Sequence, residues 1–147
     1  LLITEEDCRT EDFDLHALNI VGCATLESSH LRSPRPVAEL IKKFERGALE
    51  DTASRTGMKT AELRAGVPSD LARWASRAGA EQIATPYIPT GPLRDWMLDA
   101  KNDLDDSGIN LVEWRREWDG AIWAYATAGF FKVKKQIPGI LQNIGLT

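Results

Sequence analysis

Residues 85–92 read Thr85-Pro86-Tyr87-Ile88-Pro89-Thr90-Gly91-Pro92 and place two hydroxyls, a phenol and a glycine just ahead of a helical pattern. In an open α/β sheet, ligands bind beyond the carboxyl ends of the strands, and a helix N-terminus there can receive an anion. Thr85, Tyr87, Thr90 and Gly91 are therefore candidate cofactor-binding residues. Three prolines remove amide donors from the same loop, which favours the plainer reading of a tight connection that places the helix. Arg115 joins the candidates, because Trp114-Arg115-Arg116 follows a strand pattern and arginines there can grip a phosphate or a carboxylate. Glu117 and Asp119 are equally placed to pair with these arginines within the chain.

Two further groupings carry weaker chemistry. Five tryptophans occur, at 74, 96, 114, 118 and 123. Such clusters can pass electrons to a redox cofactor, but they more often anchor cores and interfaces. Lys132, Lys134 and Lys135 lie beside Phe130 and Phe131, and residues 130–147 contain no acid. Basic residues mixed with aromatics can bind nucleic acid, although three lysines also fit a solvated helix end.

No catalytic residue is assigned. The chain has no GxGxxG, Walker A, GxSxG or HExxH pattern. His16 and His30 are too few and too far apart for a zinc site, and no metal ligands are assigned. Cys8 and Cys23 form neither a CxxC pair nor a disulfide framework, which fits a reducing, cytoplasmic setting. No run of about 18 apolar residues is present, so neither a membrane-spanning helix nor a membrane partner is expected.

The elements that must position these residues follow an α/β rhythm. Residues 19–23 read as a short strand or one helical turn, and 28–36, with three serines and two prolines, as a loop. Val37, Leu40, Ile41 and Phe44 recur at helix spacing, but a strand here followed by a helix over 47–56 competes with that reading. Gly57 closes the segment as a C-terminal cap would. A strand is expected over 59–64. Pro68-Ser69-Asp70 then starts a helix with Leu71, Trp74, Ala75 and Ala78 on one face, which Gly79 ends. Residues 81–87 form the next strand. A helix over 92–107 follows, with Thr90 as its N-cap, Pro92 in its first turn and Leu93, Trp96, Met97, Ala100 and Leu104 as its apolar stripe. Residues 109–114 form a last strand, and Pro138 should end or bend any helix that begins after Gly129.

This alternation predicts a three-layer α/β fold. It has a mostly parallel sheet of four to five strands with helices on both faces, in a Rossmann-like arrangement. The length of 147 residues suits one domain. The net charge of −4 excludes a generally basic nucleic-acid binder. Its distribution is uneven: residues 1–14 hold six acids and one arginine. We therefore expect residues 1–18 to be an extended acidic lead-in and 19–147 a single α/β domain. The first residue is Leu rather than Met, which suggests a fragment or a processed product.

Three stretches together resemble a known family. Leu1-Leu2-Ile3-Thr4-Glu5-Glu6-Asp7 resembles the segment after the flavin-binding helical domain of certain bacterial photolyase/cryptochrome-like proteins. Gln82-Ile83-Ala84-Thr85-Pro86-Tyr87-Ile88-Pro89-Thr90-Gly91-Pro92 resembles their QxVTPYxPxGP turn. Trp118-Asp119 through Trp123, Ala126-Thr127-Ala128-Gly129-Phe130-Phe131 and Ile137-Pro138-Gly139-Ile140-Leu141 resemble their ending; Ala124-Tyr125-Ala126 departs from it, replacing a more polar run.

The resemblance implies the α/β module of a deoxyribodipyrimidine photolyase-related flavoprotein of the DNA-repair or light-sensing type, with a layout similar to the antenna-binding α/β domain of ordinary photolyases. Its FAD and catalytic residues belong to a helical domain that this sequence does not contain, so it implies no cofactor in this chain and FAD in the parent. The implied partner is that helical FAD domain of the same parent chain, with any DNA contact made through the parent. The competing expectation, from the alternating pattern and the 85–92 loop, is a stand-alone nucleotide- or chromophore-binding α/β protein.

Overall fold

A computed structural model describes residues 1–146, which divide into two compact units, Leu1–Trp114 and a second beginning at Arg115.

The first unit is an α/β fold in which every strand pairing is parallel. β1 (Leu2–Thr4), β2 (Cys23–Glu27) and β3 (Thr60–Arg64) form one sheet in that order, with Leu2 opposite Ala24 and Cys23 opposite Thr60. β4 (Gln82–Pro86) pairs with β5 (Asn110–Trp114), Gln82 lying opposite Asn110. β4 also packs beside β1, but no ladder joins them. The expected single sheet of four to five strands is thus corrected to sheets of three and two strands. The reason lies in β1: it is three residues long and turns back at once, with the Asp7 amide on the Thr4 carbonyl at 3.3 Å, so it offers β4 little edge.

The expected layering is present in this unit. The strands are buried on alternating sides, as their twofold repeat requires. Leu2, Ala24, Leu26 and Ile83 pack on one face with α2 (Ser69–Ala78) and α3 (Pro92–Asp106). Leu1, Ile3 and Cys23 pack on the other with Leu49 of α1 (Glu39–Thr56). Leu93, Trp96, Met97, Ala100 and Leu104 of α3 are all buried, as their spacing predicts. Gly57 and Gly79 close α1 and α2 at φ of 68° and 70°, where a side chain would be strained.

Two expectations about elements change and one open reading is settled. Leu1–Thr4 is core rather than lead-in: all four residues are buried and β1 is hydrogen-bonded to β2, because an apolar triplet outweighs the charge run behind it. Of the two readings left open from residue 37 onward, the helix spacing is the one the structure follows: α1 runs unbroken over Glu39–Thr56, with no strand ahead of it. The short strand or turn proposed at 19–23 begins only at Cys23 and continues to Glu27 as β2.

The second unit contains α4 (Glu117–Trp123), α5 (Phe130–Lys134) and α6 (Ile137–Asn143). α5 ends before Pro138, which instead occupies the first turn of α6, where its missing N–H costs nothing.

Candidate functional site

The loop after β4 is closed by the protein itself. Glu113, on β5, receives the Ile88 amide on Oε1 at 2.9 Å. The Arg94 guanidinium grips both oxygens of Glu113, at 2.7 and 2.9 Å, and donates to the Ile88 carbonyl. The same guanidinium lies 5.1 Å from the centre of the Tyr87 ring. The Tyr87 amide donates to the Trp114 carbonyl at 2.7 Å. A carboxylate of the chain thus occupies the donors that an anionic ligand would need at this loop.

Four of the candidate residues lie in the first unit, in different settings, and Arg115 lies in the second. Thr85 is fully buried at the end of β4, with no hydrogen-bond partner for its hydroxyl. Tyr87 is half-buried against Arg94, and Thr90 is exposed. Gly91 takes the N-cap position of α3 that was expected of Thr90: its φ of 158° lets the chain turn into Pro92. Arg115 is exposed in the second unit, its guanidinium 5.1 Å from the centre of the Trp123 ring.

A second polar cluster sits at the carboxyl ends of β1 and β2, and sequence reasoning missed it. Glu5 follows β1, Ser28 and the 3-10 turn Ser29–Arg32 follow β2, and Glu45 projects inward from α1. The Ser28 and Ser29 amides donate to Glu45 Oε1 at 2.7 and 2.9 Å. The Ser28 hydroxyl donates to Glu5 Oε1, which also receives Arg32 at 3.3 Å. Arg32 reaches Glu6 as well, at 2.8 Å. Burial pushes the Glu5 carboxyl above its ordinary range, and the nearby Glu45 charge adds to this; the Ser28 bond and Arg32 act in the opposite direction. Glu5 Oε2, Glu45 Oε2 and Ser29 Oγ are all buried without a partner. Glu5 was read as part of a solvated charge run, and Glu45 carried no motif. The one available signal was the interruption of an apolar helical stripe by a glutamate one residue after Phe44.

Other chemistry is sparse. Among the described residues, no group of three or more His, Cys, Asp and Glu side chains is placed to hold a metal ion. Burial raises the pKa of both Cys8 and Cys23, which keeps them as protonated, weakly nucleophilic thiols. His16 is exposed, while His30 is half-buried with Nε2 2.9 Å from the Ala65 carbonyl. A cavity of about 340 Å³ opens at the amino ends of β1 and β4, between Ile20, Gly22, Trp74, Ala78 and Gln82. Glu81 lines it together with Leu1, whose amino group donates to the Gly22 carbonyl at 2.8 Å. No helix among the described residues is long and apolar enough to cross a membrane.

Comparison with protein-family models, with curated proteins and with solved structures finds no match to this chain.

Proposed function

We propose that this chain is a non-catalytic α/β module that packs against another protein domain, and that the domain is the helical FAD-binding part of a photolyase/cryptochrome-like flavoprotein. The observation that carries the docking role is the orientation of α1. Leu40, Ile41 and Phe44 are 78%, 55% and 79% exposed, while Glu45 on the same helix is buried. An apolar cluster turned outward on a helix whose inner face is already seated marks a surface that a partner covers. The closure of the 85–92 loop by Glu113 and Arg94 supports a module without a phosphate site there. The identity of the partner rests on the resemblance of residues 1–7, 82–92 and 118–141 to that family.

The test begins with the coding sequence upstream of the Leu1 codon. A helical flavin domain encoded in the same frame is expected, and an open reading frame that starts near Leu1 without one would sink the family assignment. Where that domain exists, Phe44→Ser is expected to weaken its association with this chain. Unchanged association would remove α1 from the interface.

The unpartnered polar atoms at the strand ends favour a second reading, a stand-alone nucleotide- or chromophore-binding protein. Thermal-shift screening with nucleotides, flavins and deazaflavins separates the two. A ligand at 100 times its Kd stabilises by about 2.7 kcal/mol, and no such shift is expected from the isolated chain.

A further inference from the structure

The two buried carboxylates, Glu5 just after β1 and Glu45 within α1, pose a hydrogen-bonding problem that the chain's own donors do not solve. Glu45 is 5% exposed, and the Glu5 side chain 10%. Both sit on the same residue: the Ser28 amide donates to Glu45 Oε1 and the Ser28 hydroxyl to Glu5 Oε1. The donors present converge on the two Oε1 atoms, and both Oε2 atoms are left buried without a partner. The charged and titratable groups around Glu5 are Glu45 from α1, Arg32 from the 3-10 turn, and Glu6, Asp7 and Cys8 from its own segment. Arg32 bonds Glu5 and is shared with Glu6. Two ionised carboxylates here would therefore carry an excess negative charge into a dehydrated site, which proteins avoid by binding a proton.

We infer that Glu5 and Glu45, joined through Ser28, form a carboxylic acid–carboxylate pair in which Glu5 holds the proton, and that this proton locks the Ser29–Arg32 turn between β1 and α1. A single proton removes one of the two like charges that converge on Ser28 in this buried site. The pair is a proton-sensitive latch: its loss of a proton sets two like charges against each other beneath the turn and the N-terminal half of α1. This inference does not rest on the proposed partner.

The sign follows from linkage. The native state holds the Glu5 proton at pH values where the unfolded chain has released it. Stability is therefore full below the ordinary glutamate value of 4.5 and declines as pH rises from there through the native value. In that window this one proton makes the unfolding constant rise by up to tenfold per pH unit.

Two measurements on the whole chain test the latch. In the first, the native Glu5 carboxyl carbon is followed by NMR through a pH titration. Its midpoint is expected above 4.5 in the wild type and lower in Glu45→Gln, which removes the like charge. A midpoint at or below 4.5, or one that Glu45→Gln leaves in place, overturns the inference. In the second, urea unfolding is compared across pH 4–8 for the wild type and Glu5→Gln, whose amide replaces the carboxyl proton as donor. Glu5→Gln is expected to lack the wild-type loss over that window. A profile parallel to wild type refutes the latch. So does saturable stabilisation of the wild type by Mg²⁺ or Ca²⁺ that Glu5→Gln abolishes, since the compensating charge would then be a metal ion.

Discussion

Arg94 and Glu113 decide the character of the loop after β4. Their paired hydrogen bonds, with the Ile88 amide on the same carboxylate, are about four-fifths shielded from water and leave each group dependent on the other. Removing one partner strands a partly buried charge, so Arg94→Met is expected to lower the unfolding free energy by about 1–3 kcal/mol in urea titrations. A change below a few tenths would mean that the pair is solvent-screened and incidental. Arg32 offers a complementary case. Arg32→Gln removes a cation that bonds Glu5, so the native Glu5 midpoint is expected to move up and the alkaline loss of stability to extend to higher pH. The thiols are a third. With burial raising both pKa values, Cys8 and Cys23 are expected to react with a disulfide reagent at pH 8 more slowly than the same thiols in urea-unfolded chain.

At the scale of elements, α3 and α1 obey different rules. α3 buries the stripe its sequence announces, and truncating Met97 or Leu104 to Ala, both 0–1% exposed, is expected to cost about 2–5 kcal/mol by denaturant unfolding. α1 carries an equally visible stripe, Leu40, Ile41 and Phe44, yet turns it to solvent. Phe44→Ser is therefore expected to change the stability of the isolated chain by no more than about 0.5 kcal/mol. A loss of several kcal/mol would place Phe44 in a core. The same contrast explains what was legible. β3, β4, β5, α2 and α3 were readable because local spacing, proline, glycine and burial agree there. β1 and β2 were not, and neither was the seating of α1, which depends on Glu45 accepting two amides from a turn 16 and 17 residues earlier, a pairing with no local signature. The candidate site suffered likewise: Thr85, Tyr87, Thr90 and Gly91 were chosen by residue type, whereas Glu5 and Glu45 stand 40 positions apart and meet only through Ser28.

For the molecule as a whole, the two buried clusters of the first unit draw all their residues from positions 1–114. A chain ending at Trp114 is therefore expected to unfold cooperatively in urea with its near-ultraviolet signal intact. A non-cooperative transition would show that the second unit completes the core. The sequence alone determined the alternation of strand and helix, the parallel pairing that such alternation requires and the absence of familiar catalytic motifs, since these depend on neighbours a few residues apart. The tertiary structure decided three things: that Leu1–Thr4 joins the sheet, that the apolar stripe of α1 faces outward and that Glu5 meets Glu45. Each is settled by competition among distant segments for the same buried space and the same few hydrogen-bond donors, and no local pattern records that outcome.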